Sequence, residues 1–225
     1  MRLRMPARPL RAGALSLTAT GIAALPAAAA QAPAQDPGAA PAKPRITVDS
    51  RKLHVHAGHR TAVRGHVTPA VAGIPVALQA RRDGRWVTLD RARTRRAGRY
   101  ALRDRQQTAL SARVRVKVKR GLGVRRATRA VGRLNVYRAA QASWYGPGLY
   151  GNTLGCGGTL NPGRLGVAHK TLPCGTKVTL RHDGRSVRVP VIDRGPYVAG
   201  REYDLTAATA QKLGFSGHGA VLVTQ

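Results

Sequence analysis

Short runs of alternating apolar and polar residues, separated by turn signals, most constrain how residues 44–138 can fold. The clearest run is 113–119, in which valines alternate with arginine or lysine, and turn signals lie at 83–84, 97–98 and 121–123. A period of two places alternate side chains on opposite faces of a strand, and glycines permit the turns between strands. About seven strands at this spacing predict an immunoglobulin-like β-sandwich.

The same segment carries most of the chain's positive charge. The 225 residues hold 39 Lys+Arg and 9 Asp+Glu, a formal net charge of +30, and residues 44–138 contribute 25 basic and 4 acidic residues, or +21. Two interpretations stay open, a solvated cationic face and a surface that grips anionic wall polymers. We expect no nucleic-acid partner, because the sequence has neither a groove-reading helix nor a base-stacking aromatic pattern.

The first residues have the pattern of an export signal. Four arginines precede the apolar run 12–25, and small residues at 28–30 offer a cleavage site. We therefore predict a signal peptide at 1–30, with an uncleaved anchor as the alternative, followed by an Ala/Pro-rich linker at 31–43. The mature protein is expected to be secreted or held at the cell wall, with no integral membrane segment after cleavage.

Residues 139–225 differ from the basic segment, since they contain both cysteines and six of the nine aromatic residues. Short strands, a turn at Asp183-Gly184 and one short helix at 207–213 predict a compact β-barrel. Thr206 is placed to cap the start of that helix and Gly214 lies just past its end. The predicted fold class for the whole chain is therefore all-β, a barrel preceded by a sandwich.

Residues 140–225 also resemble the rare lipoprotein A (RlpA)-like family. The resemblance lies in the segments Ala142–Gly146, Gly166–Pro173, Gly175–Val178, Val191–Tyr197, Tyr203–Thr206 and Leu213–Gly214. It implies a six-stranded double-psi β-barrel, related to the barrel of expansins, that acts on peptidoglycan glycan strands as a lytic transglycosylase. In that chemistry the C6 hydroxyl of muramic acid attacks in place of water and leaves a 1,6-anhydro end, so one acid can suffice.

The barrel segment has only four acidic residues, which narrows the candidates for a proton donor. Asp183 lies in the predicted turn and Glu202 in a predicted loop. Asp193 ends the apolar run 189–192 and, by family position, is the catalytic acid, although bonding of turn amides is the competing interpretation. His169 matches the family's active-site histidine and is expected to orient the sugar or to tune the proton on Asp193.

Five further residues are predicted to bind the substrate beside Asp193 and His169. Trp144, Tyr145 and Tyr197 are candidates for stacking on sugar rings, with core packing as the alternative. Arg194 is grouped with them because it adjoins the proposed acid. Asp204 joins the set as well, although its place before the helix N-cap favours a contact with the first-turn amides.

One departure from the family affects the expected activity. Catalytic members carry a Gly-Glu pair before the histidine, but counting back eleven positions from His169 reaches Gly158, and no glutamate is present. Cys156 and Cys174 bracket the candidate cleft, and in an exported protein we expect them to form a disulfide. A thiol nucleophile formed by Cys174 and His169 is the alternative.

No cofactor or metal is expected. Four histidines cluster at 54–66, but no carboxylate or thiolate accompanies them and the surrounding cations repel a metal. Three functional hypotheses remain: a lytic transglycosylase, a non-catalytic expansin-like wall-binding protein, and an adhesin that binds polyanions through the sandwich.

Overall fold

A computed structural model describes residues 40–225. The predicted signal peptide and positions 31–39 of the predicted linker lie outside the described residues. Ala42, near the end of that linker, forms a β-bridge with Val124, and its amide donates to the Gly123 carbonyl at 2.9 Å. The last residues assigned to the linker therefore already pair with the folded part of the chain.

The described residues form thirteen strands, one short 3₁₀ turn at Arg96–Gly98 and one α-helix. The strands are β1 (Arg45–Lys52), β2 (His54–His56), β3 (Arg60–Thr68), β4 (Pro75–Arg82), β5 (Arg85–Arg93), β6 (Arg99–Arg105), β7 (Leu110–Val118), β8 (Ala127–Tyr145), β9 (Val167–Ala168), β10 (Lys177–His182), β11 (Arg185–Asp193), β12 (Tyr203–Thr206) and β13 (Gly219–Val223). The helix α1 is Ala207–Leu213. The prediction of an all-β protein is confirmed.

The first eight strands form two sheets around one apolar core. One sheet has the order β1-β3-β6, and the other runs β5-β4-β7-β8, with β2 added in parallel to β8. Core residues such as Val63 and Leu102 from the first sheet belong to one buried cluster with Leu78 and Val116 from the second. The immunoglobulin-like assignment stays a prediction, and this two-sheet order supports it.

The five remaining strands and the last part of β8 close into a six-stranded barrel. Their order is β8-β13-β10-β11-β9-β12, and a parallel pairing of β12 with β8 closes the ring. A second parallel pairing joins β9 and β11. The interior is apolar and includes Leu180, Val191 and Leu205. This is the double-psi β-barrel that the resemblance implies.

Strand β8 belongs to both halves of the molecule. Its first part pairs with β7 of the sandwich, and its last part pairs with β13 and β12 of the barrel. The boundary predicted between 138 and 139 therefore falls inside one continuous strand of 19 residues. At that point the Arg138 guanidinium pairs with Glu202 and donates to the Gln225 carbonyl at 2.7 Å.

Local signals in the sequence account for the helix and the hairpin of the barrel. Thr206 accepts a hydrogen bond from the Thr209 amide at the start of α1, and Gly214 ends the helix in a left-handed conformation, both as predicted. Asp183 and Gly184 have positive φ angles of 44° and 79° in the turn between β10 and β11. No helix within residues 40–225 is both long and apolar enough to cross a membrane.

Candidate active site

Four neighbouring strands of the barrel bring two aspartates into one row of side chains. Ser143 of β8 pairs with Asp204 of β12, and Asp204 pairs in turn with Ala168 of β9. On its other side Ala168 pairs with Asp193 of β11. The pairing is irregular at Asp193, because β11 has a register shift between Val191 and Asp193. The two carboxyl groups nevertheless lie near each other, since the charge of Asp193 acts on Asp204 and both charges act on the Tyr145 hydroxyl.

Asp193 is held by backbone amides at one oxygen. Its Oδ1 accepts from the Gly155 amide at 2.7 Å and from the Arg194 amide at 2.8 Å. The side chain is half-buried. Since Oδ1 already accepts two hydrogen bonds, a proton on this carboxyl would reside on Oδ2.

Asp204 has a different role from the predicted one. Its Oδ1 accepts from the Ser143 hydroxyl at 2.9 Å, so the carboxylate bonds a neighbouring strand and not the first-turn amides of α1. The reason is that Asp204 lies inside β12, where the side chain projects from the sheet. Burial raises the pKa of Asp204, and the charge of Asp193 raises it further, whereas Ser143 and Arg201 lower it.

The Tyr145 hydroxyl lies beside both carboxylates. It is buried, and the nearest polar group that acts on it is the Asp193 carboxylate. Burial raises the pKa of Tyr145 well above its ordinary value, and the charge of Asp193, a hydrogen bond to that carboxylate and the charge of Asp204 raise it further. The hydroxyl is therefore neutral and points at the candidate acid, so a ligand oxygen would compete with Asp193 for its proton.

His169 adjoins Asp193 through the backbone, but its ring faces other groups. Its amide donates to the Asp193 carbonyl at 3.2 Å. The ring nitrogen Nδ1 accepts from the amides of Thr171 and Leu172 at 3.1 Å and 3.0 Å, which places the ring proton on Nε2. The ring packs against Tyr203 with 4.8 Å between ring centroids.

The charges that act on His169 agree with the contacts of its ring. Burial lowers the pKa of His169, the Glu202 carboxylate opposes that shift, and Arg138, Arg194 and Lys170 lower the pKa further. The carboxylate that acts on the imidazole is therefore Glu202, which the sequence assigned to an uninvolved loop. The structure brings Asp193, Asp204 and Tyr145 together and places the His169 ring on the side of Tyr203.

Arg194 braces the loop that follows His169. Its guanidinium donates to the carbonyls of His169 and Leu172 at 3.1 Å and 2.9 Å, and it contacts the Cys174 sulfur at 2.9 Å. Contact with a sugar would have to share or replace these bonds. The expected disulfide between Cys156 and Cys174 is present, with 5.6 Å between the Cα atoms.

The segment where the family carries its glutamate contributes a backbone amide in this chain. Residues 151–166 include no acidic residue, and Gly158 has a positive φ of 79°. Within this segment, the Gly155 amide bonds Asp193, and a Cβ at Gly155 would lie only 2.9 Å from the Arg194 side chain. The loop therefore approaches the candidate acid closely and supplies it with a hydrogen-bond donor.

The aromatic candidates separate into different environments. Trp144 is 39% exposed and lines a groove of about 430 Å³ together with Tyr150, which the sequence reasoning missed. Tyr197 is 81% exposed, next to the turn that follows Asp193. Tyr145 packs against Leu154, Leu160 and Ile192. Of the three predicted stacking residues, Trp144 and Tyr197 are open to solvent and Tyr145 is mostly enclosed.

Comparisons with known proteins match the barrel segment. A family model described as "Lytic transglycolase" covers residues 137–225. The probable endolytic peptidoglycan transglycosylase RlpA of Synechocystis sp. is 42% identical over 100 residues, which cover 40% of this chain and 31% of the relative. The protein of the same name from Aquifex aeolicus is 41% identical over 87 residues, covering 38% of each chain.

A third relative carries the same name without the word "probable". The endolytic peptidoglycan transglycosylase RlpA of Campylobacter jejuni is 44% identical over 84 residues, covering 36% of this chain and 30% of the relative. The chain thus spans less than two fifths of the length of each of these relatives. Among solved structures, Streptomyces papain inhibitor aligns with a TM-score of 0.31 and 23% identity over 40% of this chain and 94% of that one, a similarity too weak to bear on fold or function.

Proposed function

We propose that the barrel of residues 137–225, which matches the family model described as "Lytic transglycolase", cleaves peptidoglycan glycan strands endolytically. The observation that carries the proposal is the row of Ser143, Asp204, Ala168 and Asp193. This row brings two carboxyl groups near each other, and carboxyl groups are the residue type that glycosidic cleavage requires. The family glutamate is missing, so the reaction has to proceed with the carboxyl groups of this row.

In the proposed reaction Asp193 serves first as acid and then as base. Its carboxyl gives a proton from Oδ2 to the glycosidic oxygen while the bond from that oxygen to the anomeric carbon of muramic acid breaks. The C6 hydroxyl oxygen of the same muramic residue bonds the anomeric carbon, and its proton passes back to Asp193. No water is consumed, one product ends in a 1,6-anhydro ring, and the enzyme regains its initial protonation state.

The neighbouring groups support this step without exchanging protons in it. Asp204, with its raised pKa, places a second carboxyl near Asp193. The Tyr145 hydroxyl lies beside Asp193 and helps to orient its carboxyl group. His169 is a positioning residue, because it fixes the turn at 170–172 through Nδ1 and holds the end of β11 through its backbone amide.

The proposed location and partners follow from the same substrate. Peptidoglycan lies outside the cytoplasmic membrane, so a protein that acts on it is expected to be secreted or bound to the wall. The groove with Trp144 and Tyr150 is a candidate stacking surface for sugar rings. The net charge of +21 on residues 44–138 supports anionic wall polymers as a second partner class.

Mass spectrometry of digested sacculi tests the proposed reaction. Purified mature protein is incubated with peptidoglycan, and the products are analysed for 1,6-anhydro-muramic ends. We expect such ends with the wild type and a loss of about 10²–10⁴-fold in their rate of formation with Asp193→Asn. The matched control is Asp183→Asn, because this carboxylate is 86% exposed in the β10–β11 turn and lies outside the row.

A binding assay on the same sacculi separates the enzyme from a wall-binding protein. Each variant is first shown to be folded by circular dichroism and is then pulled down with peptidoglycan. A folded wild-type protein that binds sacculi but forms no more anhydro ends than Asp193→Asn would contradict the enzyme and support the expansin-like alternative. Equal losses in the Asp183→Asn and Asp193→Asn variants would contradict the assignment of Asp193.

A further inference from the structure

The sandwich contains a concave site that the proposed barrel chemistry does not use. A cleft of about 890 Å³ lies at the β1-β3-β6 sheet and the 3₁₀ turn. Four arginines line it, and we call it the basic cleft: Arg64, Arg95, Arg96 and Arg99. All four side chains are exposed. Two come from strands β3 and β6, and two from the turn segment before β6, so residues 35 positions apart in sequence are brought to one site.

The charge of the basic cleft is not neutralised by the protein. Within residues 40–225, none of the four guanidiniums pairs with a carboxylate or donates a hydrogen bond to another residue. The one acidic residue of the lining is Asp49, and its carboxylate faces the His66 imidazole, with 3.3 Å between Nδ1 and Oδ1. The cleft therefore presents four cations whose donors are available to a ligand.

The backbone fixes the position of the turn segment that carries Arg95 and Arg96 and leads into Arg99 of β6. Thr94 is buried, its hydroxyl donates to the Val71 carbonyl at 2.6 Å, and it accepts from the Ile74 amide at 2.9 Å. Gly98 has a φ of +65°, and a Cβ there would lie 2.2 Å from the Val67 carbonyl oxygen. The turn thus packs directly on β3, which holds its arginines in a set relation to Arg64.

The base of the cleft is equally constrained. The Tyr100 hydroxyl is buried and donates to the Thr47 carbonyl at 2.8 Å. A Cβ at Gly65 would lie 1.9 Å from that same oxygen and 2.6 Å from the tyrosine hydroxyl, so only glycine permits this approach. The cleft is therefore a built cavity of the sheet and not a chance gap between mobile side chains.

We propose that the basic cleft binds the phosphodiester groups of an anionic wall polymer. Guanidinium groups match phosphate oxygens with paired, charge-assisted hydrogen bonds, and their charge is retained at every physiological pH. Four such groups around one concave site suit a linear polymer with repeated phosphates better than a single small anion. The proposal relies on the proposed cell-wall location but is independent of the chemistry in the barrel.

A titration with poly(glycerol phosphate) tests the proposal on the full mature chain. The cleft variant carries four substitutions to glutamine at Arg64, Arg95, Arg96 and Arg99. The matched control removes the same charge from the other sheet, with glutamine at Arg81, Arg85, Arg91 and Arg113, all of which are exposed. We expect the cleft variant to lose affinity by at least about tenfold and its slope of log K against log salt to fall by about 3, whereas the control changes less than about threefold.

Three results would overturn the proposal. The first is an equal loss of affinity in the cleft variant and the control, because net charge alone would then explain the binding. The second is no measurable binding of the polymer to the wild type. The third is tighter binding of single-stranded DNA with the same dependence on the cleft arginines, which would assign the site to nucleic acid.

The outcome is separable from that of the proposed enzyme. The cleft variant is expected to form anhydro ends from sacculi stripped of anionic polymers at the wild-type rate. If the wild type forms none, the transglycosylase proposal fails while the polymer titration still decides the function of the cleft.

Discussion

At the scale of single residues, Asp204 is the position where function and stability are expected to oppose each other. Burial raises its pKa, so the folded state favours the protonated carboxyl more than the unfolded state does. The stability that this shift contributes is therefore fully present below the unfolded pKa and is lost as the pH rises through the folded pKa. Asp204→Asn keeps an acceptor for the Ser143 hydroxyl and cannot ionise, so it avoids that loss.

The Asp204→Asn variant should consequently be more stable and less active. We expect a higher Tm than the wild type at pH 7, no such gain at pH 3, and a loss of activity of roughly tenfold or more. Thermal unfolding at the two pH values and the anhydro-end assay measure these effects. A lower Tm at pH 7 would show that the carboxylate itself is a stabilising partner in the folded state.

His169 gives a second prediction, in which stability is lost as the pH falls and not as it rises. Its pKa is lowered by burial, and its Nδ1 accepts from two amides, so protonation is disfavoured in the folded state. Stability should be fully present above the unfolded pKa of about 6.5 and should be lost as the pH falls through that value. His169→Asn retains an acceptor and does not titrate, and its loss of stability between pH 7 and pH 5 should be smaller.

Urea unfolding across that pH range measures the effect. His218→Asn is the control, since this histidine is exposed and no side-chain hydrogen bond holds it within the described residues. Identical pH profiles for the wild type and His169→Asn would contradict the structural role assigned to Nδ1.

The residues that could be predicted from the sequence are those marked by local patterns. The cysteine pair and the helix cap at Thr206 and Gly214 follow from such patterns and are confirmed. Asp193 and His169 lie in contiguous family motifs, and their roles stay predictions. The bond between Ser143 and Asp204 could not be predicted, because it depends on the parallel register of β12 with β8. Glu202 was missed for a similar reason, since its partner Arg138 lies 64 positions away.

At the scale of elements, the loop 151–160 approaches the candidate acid through the backbone of Gly155. Gly155 lacks a Cβ, which allows its amide to reach Asp193. A methyl group there would lie 2.9 Å from the Arg194 side chain and 3.1 Å from Asp193 Oδ1. We expect Gly155→Ala to displace the carboxyl and lower activity between about tenfold and 10²-fold.

The stability of Gly155→Ala should change by less than about 1 kcal/mol, because the loop is exposed at this point. Gly163→Ala is the matched control, since a Cβ there meets only the Asn161 side chain at 3.7 Å. Activity and Tm are measured for both variants. If Gly155→Ala keeps wild-type activity, the contact between the Gly155 amide and Asp193 is not needed for the reaction.

At the scale of the whole molecule, the sandwich and the barrel share strand β8, and this was not predictable from composition. The charge and residue usage change near 138, which suggested two separate modules joined there. Core residues nevertheless lie at alternate positions on both sides of Arg138, with Leu134 and Val136 in the sandwich core and Ala140 and Ala142 in the barrel core. A shared strand removes the freedom that a linker would give, so the two cores are expected to lose their structure together.

This coupling predicts a single unfolding transition, and the two tryptophans of the chain report on it separately. Trp86 lies in β5 of the sandwich and Trp144 in the barrel part of β8. Trp144→Phe leaves a fluorescence signal from the sandwich alone, and Trp86→Phe leaves one from the barrel alone. Within each variant, we expect the urea midpoint measured by fluorescence to equal the midpoint measured by far-ultraviolet circular dichroism, as two-state unfolding requires. Midpoints by fluorescence and circular dichroism that disagree within one variant would show that β8 can lose its pairing in one half while the other half stays folded.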